Sequence, residues 1–311
     1  MEILTGNRAK NFPRERLYRG EVAPEDIVLR VMAGQEKELT KRFHDELERR
    51  RELSRLKKKI SAPLINLLNQ DKNAANSTKE LIEVLGRRKI PTQKPLEVPK
   101  REMVIIDEDN WNYGHFMVPP YDYQFNYVYM DGNPNAYFNY SNQDGTYGMK
   151  DETTKFQIDG GESSILSIQS LGNYFSPKLS GQLMISIFPT IDYFWFVEDV
   201  WFGSASNWAT LGIQVDRYNW NGEFESTVVN IQDNLWFETA NFDIFAENED
   251  SKTINKYLYA YLNVDIEHWY VIWVNISNSI FGSGTSGLTY GGAGTYIGAA
   301  LPWIEWDLQG Y

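Results

Sequence analysis

The run 192–202, DYFWFVEDVWF, narrows the fold of this chain more than any other stretch. In an extended backbone Tyr193, Trp195 and Val197 fall on one face, and Phe194 and Phe196 on the other. β-branched and aromatic side chains suit a pleated surface, and a strand apolar on both faces needs cover on both sides. A second run, 268–276 (HWYVIWVNI), repeats the pattern, with Trp269, Val271 and Trp273 opposing Tyr270, Ile272 and Val274. Both read as central strands of one large, aromatic-rich β-domain.

Charge divides the chain into two parts. Residues 1–101 carry 24 Lys/Arg against 15 Asp/Glu, and residues 102–311 carry 6 against 27. The first part is therefore +9 and the second −21, within a net charge of −12. All ten tryptophans fall after residue 110. Such polarity marks two physical objects joined end to end.

The first 22 residues carry Arg8, Lys10, Arg14, Arg16 and Arg19 with few apolar anchors, which predicts a flexible basic arm. Pro24 with Glu25 and Asp26 opens a short helix. From Gln35 to Ile60 the sequence is rich in Glu, Lys, Arg and Leu, with no Gly or Pro. Leu39, Phe43, Leu47, Leu53, Leu56 and Ile60 form a narrow apolar stripe that needs another helix to cover it. Residues 23–90 thus read as a helical oligomerisation or anchoring region, with a homo-oligomer as the expected partner. Pro63 is expected to stop the long helix. Residues 71–76 read as a turn, and Ser77-Thr78-Lys79-Glu80 as a capping box opening a helix that ends at Gly86. Pro91, Pro95 and Pro99 space an extended linker over 91–101.

From residue 102 the pattern changes to short strands separated by Gly, Asn, Asp and Pro. Asn221-Gly222 is the strongest hairpin signal. Asp131-Gly132-Asn133-Pro134 reads as an Asx-stabilised turn rather than a calcium loop, since no bidentate Glu follows at the required spacing. Ten or more strands without intervening helices predict an antiparallel sandwich. The expected fold is therefore α + β in two parts: a helical N-terminal segment, then a large jelly-roll-like β-sandwich domain over 102–311.

Motifs that carry chemistry are few in this sequence. Absence of cysteine excludes disulfides, thiol catalysis and cysteine-ligated metals. The stretch 282–287 matches G-x-G-x-x-G, but the glycine-rich residues after it cannot open a phosphate-binding helix, so it reads as a flexible loop. The histidines are His44, His115 and His268, and a two-His metal or Ser-His-Asp site would need His115 and His268 to converge. Asp107, Glu108, Asp109, Glu198, Asp199, Asp265, Glu267, Glu305 and Asp307 are available to a two-carboxylate hydrolase by abundance alone. No cofactor or metal is implied.

Aromatics at turns carry the one functional hint. Trp111 and Tyr113 lie in a polar loop, Tyr218 and Trp220 at the Asn221-Gly222 hairpin, and Tyr290 and Tyr296 around the glycine-rich stretch. Flat rings beside Asn and Asp suit stacking on sugars, while an interior or subunit contact explains them equally well. The expected function is a non-enzymatic structural or assembly protein, a fibre, appendage or attachment subunit, displaying a sandwich that binds glycans or another cell-surface ligand. One alternative is a capsid-like shell protein whose basic arm contacts nucleic acid, disfavoured by the −21 charge of the sandwich. The other is a β-sandwich glycoside hydrolase. With no signal-peptide pattern and no run of eighteen apolar residues, membrane insertion is not expected. A cytoplasmic, virion-like or non-classically exported protein follows.

Overall fold

The structure is a computed structural model describing residues 25–91, 96, 115–132, 134–138, 141, 143–153, 161–177, 179–241, 245–284 and 288–310. The basic arm, most of the proline-spaced segment and the strands expected at 103–107 and 154–158 lie outside those residues. Two helices come first, α1 (Glu25–Gln70) and α2 (Lys72–Leu85). The strands are β1 (His115–Met117), β2 (Tyr123–Asp131), β3 (Asn135–Phe138), β4 (Thr146–Glu152), β5 (Glu162–Phe175), β6 (Gly181–Ile187) and β7 (Thr190–Val200). They continue with β8 (Ser204–Asn219), β9 (Phe224–Asn241), β10 (Phe245–Asn255), β11 (Leu258–Val264), β12 (His268–Ser283), β13 (Tyr290–Ala300) and β14 (Ile304–Gly310).

All the strand pairings are antiparallel and make three sheets, ordered β2-β5-β12-β8-β9, β10-β7-β13-β4-β3 and β1-β14-β6-β11. The last two are halves of one layer. The order β10-β7-β13 is repeated as β11-β6-β14, because three strands pass from one half to the other at the same level. Pro189 lies in one crossing and Pro302 in another, and proline cannot donate to a ladder, so the layer divides there. The sheet centred on β12 forms the opposite layer of the sandwich. Residues of all three sheets meet in one core that includes Trp195, Trp236, Tyr270, Ile272, Ile297 and Trp306.

The two aromatic runs behave as their alternation requires. Tyr193, Trp195 and Val197 of β7 point into this core, while Phe196 faces outward beneath Ile90. Tyr270, Ile272 and Val274 of β12 point inward, and Trp269, Val271 and Trp273 line a second apolar cluster on the far side. The Asn221-Gly222 hairpin joins β8 to β9, with Gly222 at φ +82 and its N–H donating to the Asn219 carbonyl at 3.0 Å. The stretch 282–287, read as a flexible loop, begins inside β12, which runs to Ser283, and residues 285–287 lie outside the described set. The glycine-rich residues 291–294 after it belong to β13. A Cβ on Gly294 would lie 2.3 Å from the Phe196 ring, so glycine here makes room for a neighbouring aromatic side chain.

The core also holds polar bridges between the layers. Asp151 of β4 accepts from Ser167 Oγ of β5 at 2.9 Å and from Asn278 Nδ2 of β12 at 2.7 Å. Burial pushes its carboxyl up to about 7 against the opposing pull of these two hydrogen bonds. Asn207 of β8 donates to the Gly294 carbonyl at 2.9 Å and accepts from Trp236 Nε1 and Thr295 Oγ1, each at 2.8 Å.

The helical part differs from expectation in three ways. First, α1 is one 46-residue helix that runs through Pro63 instead of stopping there. Ser61 Oγ donates to the Lys58 carbonyl at 3.2 Å near the interruption, and Leu68 beyond it is buried with Ala75 and Leu288, so tertiary packing outweighs the local proline penalty. Second, α2 begins at Lys72, capped by Asp71 and not by Ser77. Asp71 Oδ1 accepts from the N–H groups of Asn73 at 2.9 Å and Ala74 at 3.1 Å. Thr78 sits inside the helix, donating to the Ala74 carbonyl at 2.9 Å and accepting from Trp201 Nε1 at 3.1 Å. Asp71→Ala is expected to cost about 1 kcal/mol, read as a lowered midpoint in chemical denaturation.

Third, the helices lie on the sandwich. Val28 and Met32 of α1 join the outer cluster of Trp269, Val271 and Trp273, and Phe43 meets Tyr129 edge-on at 5.7 Å. Ile82 and Leu85 of α2 pack with Val200 and Tyr290 on the opposite layer. The predicted stripe is therefore split. Leu47 is buried, Phe43 is half-buried against the sandwich, and Leu53, Leu56 and Ile60 are exposed. The side chain of Leu39 lies outside the described set.

Opposite charges match across these contacts. Arg51 pairs with Asp131 and with Glu162 at 3.2 Å, and Lys58 lies 3.7 Å from Glu162. Arg88 joins Glu198, Glu247 and Glu249. Part of the cationic excess of the first hundred residues is thus neutralised within the chain. Among the described residues no helix is long and apolar enough to cross a membrane.

Candidate functional site

The helices cover two of the three outward sheet faces. α1 lies over the face of β2, β5 and β12, and α2 with residues 86–91 lies over the face of β7 and β13. The outward face of β14-β6-β11 has no such cover among the described residues, and its composition is distinctive. Along β11, Leu258, Ala260, Leu262 and Val264 turn into the core, so Tyr259, Tyr261 and Asn263 turn out. Tyr257 precedes them in the same alternation.

The three tyrosines form a ladder. Ring centroids are 5.7 Å apart between Tyr257 and Tyr259 and again between Tyr259 and Tyr261, and Phe188 extends the row at 6.4 Å from Tyr257. Tyr259 is 51% exposed and Tyr261 55%. At ~3.4 Å per residue the tyrosines span roughly 14 Å. Three exposed tyrosines along the edge strand β11, extended by Phe188 of the β6–β7 connection, make a contiguous aromatic surface of the kind that marks an interaction site.

Strand register places polar groups beside each ring. Tyr261 is opposite Met184 of β6, which is opposite Asp307 of β14. Asn263 is opposite Gln182 and then Gln309, and Tyr259 is opposite Ser186 and then Glu305. Ser186 Oγ donates to Glu305 Oε2 at 2.9 Å, which fixes that carboxylate. Gln182, Met184, Tyr261, Asp307 and Gln309 line a recess of about 420 Å³. Its volume falls within the range of small-molecule sites. Asp307 Oδ1 is buried and has no hydrogen-bond partner among the described residues, so it offers an acceptor to an incoming hydroxyl or amide. The recess presents aromatic surface, amide donors and acceptors and carboxylate acceptors, with no cation in its lining.

The aromatic residues singled out from the sequence do not make one surface. Trp111 and Tyr113 lie outside the described residues. Tyr218 is buried and stacked on Trp269, with centroids 4.0 Å apart and planes at 6°. Tyr290 is buried beside Glu198, its hydroxyl 3.4 Å from Oε2, and burial holds its phenol well above the ordinary tyrosine range. Tyr296 is buried against Ile90 and Phe196. These three are interior residues and cannot stack on an external ligand. Trp220, 49% exposed at the hairpin tip, remains on the surface, apart from the tyrosine ladder.

The histidines and acids also separate. His268 is hydrogen-bonded to Asp265 and lies 3.1 Å from Glu225, while His115 belongs to the sheet of β14. Asp107, Glu108 and Asp109 lie outside the described residues, and Glu198 and Asp199 are wholly buried. Of the six candidate acids among the described residues, Glu305 and Asp307 alone share the open tyrosine face. Among the described residues no group of three metal-type ligands occurs.

Fold and face together define a helix-strapped β-sandwich with an aromatic and polar surface that is uncovered among the described residues. No protein-family model matches the chain, and no curated protein matches it. Among solved structures it is matched to TmCBM61 in complex with β-1,4-galactotriose, at 9% identity over 53% of this chain and 86% of that chain. The TM-score of that match is 0.13.

Proposed function

We propose that the sandwich is a non-catalytic glycan-binding module, displayed by helices that serve assembly. The supporting observation is the open face of β14-β6-β11, where the Tyr257-Tyr259-Tyr261 ladder borders a recess with an unpartnered Asp307 oxygen. Sugar rings present flat C–H faces to aromatic rings and hydroxyls to amides and carboxylates, which is the pairing this surface offers. Glu305, Asp307 and the −21 charge of the β-rich part favour a neutral glycan over an acidic polysaccharide or a nucleic acid. The pairing of Arg51, Lys58 and Arg88 with carboxylates of the sandwich also weighs against the capsid-like alternative.

Titration calorimetry against a panel of neutral oligosaccharides tests this reading. Tyr261→Ala is expected to weaken the best ligand at least ~10-fold, the ~1.4 kcal/mol expected of one lost ring stack, with an unchanged melting temperature. Asp307→Asn should weaken the same ligand without abolishing binding. Failure of every neutral glycan to bind, or binding indifferent to Tyr261→Ala, overturns the proposal. Release of reducing sugar that Asp307→Asn abolishes would make the face a hydrolase site instead.

A further inference from the structure

The outward face of α1 carries Leu53, Leu56, Ile60, Leu64 and Leu67, each 46–68% exposed. Ser54, Ser61 and Leu68, on the adjoining side of the helix, are buried against the chain's own body. The five exposed side chains follow one another at steps of three, four, four and three residues, so the stripe reads the same in both directions from Ile60. One further step of four outward reaches Arg49 at one end and Asp71 at the other, and both are exposed.

We infer that this face is a homodimer interface, in which α1 of a second copy packs antiparallel on a two-fold axis passing beside Ile60. An isologous contact requires that if one residue meets another, the reverse contact also forms. The palindromic spacing satisfies this at every position. Leu53 meets Leu67 of the second copy, Leu56 meets Leu64, and Ile60 meets Ile60. Arg49 meets Asp71 of the second copy, and this pair occurs twice, once at each end of the seam. The chemistry suits both roles of Asp71: Oδ1 caps α2, while Oδ2 has no partner among the described residues. The layout is an apolar centre with a charged rim.

The charges also select the direction. Side-by-side parallel helices in register would set Arg49 level with Arg49 of the second copy and Asp71 level with Asp71, and like charges at the ends of a seam oppose association. In the antiparallel arrangement each Arg49 is instead level with an Asp71 of the second copy, so opposite charges meet at both ends of the seam. The inference makes specific the assembly half of the function proposed above and is independent of whether a glycan binds.

Sedimentation equilibrium of the full chain is expected to give twice its 36.1 kDa mass. Ile60→Asp should weaken the dimer at least about 30-fold, the loss of a central apolar contact, without altering the far-ultraviolet spectrum, because Ile60 is exposed. Orientation is read by cross-linking, which the cysteine-free chain makes clean. Ile60→Cys should form an intermolecular disulfide on air oxidation. Leu53→Cys and Leu67→Cys should each stay uncross-linked alone and form a mixed disulfide when combined. A monomer at all concentrations, or Leu53→Cys linking to itself as readily as Ile60→Cys, overturns the inference. Calorimetry of Ile60→Asp with the glycan panel separates the two proposals, since loss of the dimer should leave the affinity per site unchanged.

Discussion

Arg88→Met is expected to destabilise the chain by about 3 kcal/mol at pH 7.5, the largest loss predicted for any single replacement outside the apolar core. Arg88 reaches over the Phe196 ring, 4.7 Å from its centroid, to Glu198, whose side chain is wholly buried. Glu247 at 2.6 Å and the neighbouring Glu249 complete the cluster. Burial raises the Glu198 carboxyl above the usual glutamate range, and Arg88 is the main group pulling it back. Without the guanidinium, Glu198 is either a buried lone anion or a carboxylic acid that has taken a proton from solvent.

The loss therefore depends on pH, with a sign set by a carboxyl whose folded value rises further above its unfolded one. The unfolded chain gives up the Glu198 proton near pH 4 and the variant's folded state holds it to higher pH, so the penalty grows as pH rises through that window. Denaturant titrations at pH 5 and pH 8 should show a smaller loss at the lower pH. Adding Glu198→Gln should recover much of the stability, because an uncharged amide no longer needs the cation. Equal loss at both pH values with no recovery would mean that the arginine acts through its aliphatic packing alone.

Asp151→Asn is expected to do the reverse and stabilise the chain. The unfolded chain releases the Asp151 proton near pH 4 and the folded chain near 7, so between those values the folded state holds the extra proton. Stability due to this group is complete below pH 4 and falls as pH rises through 7, by on the order of 4 kcal/mol. An asparagine keeps the Ser167 hydrogen bond through its carbonyl oxygen. Its amide can donate to Asn278 Oδ1, which has no partner among the described residues, once the Asn278 side chain flips. Denaturation midpoints of wild type and variant should nearly coincide at pH 4 and separate in favour of the variant by pH 8. A variant less stable at pH 8 would show that Asp151 is held as an anion.

The strands with strong alternation were legible from residues alone. The division of 192–202 and of 268–276 into opposed faces follows from period two, and both faces are covered as their composition demands. The Asn221-Gly222 turn was legible because few residues accept its backbone geometry. Other elements were hidden by tertiary context. Residues 291–294 look like a loop until Phe196 and Tyr290 occupy the space that side chains there would fill. Pro63 looks like a helix end until Leu68 finds Leu288.

The tyrosine face was half legible. Tyr257, Tyr259 and Tyr261 alternate with Leu258, Ala260 and Leu262, but both sets are apolar enough to be interior. Only the packing of Leu258, Ala260 and Leu262 into the common core shows which set faces water. Tyr218, Tyr290 and Tyr296 misled for the complementary reason. A ring next to a turn in sequence can still point back under a helix, and the sequence near it does not record that helix.

The docking of α1 sets a schedule for biosynthesis. Val28, Met32 and Leu68 are translated early, yet their partners include Trp273 and Leu288, made some two hundred residues later. At ~5–20 residues per second, the greasy side of a finished helix waits on the order of 10–50 s for the surface it belongs on. During that wait a nascent chain presents both its future internal face and its outer leucines to whatever is nearby. Ribosome-associated chaperones, or a neighbouring nascent chain of the same kind, are the natural holders of that segment until β12 and β13 emerge.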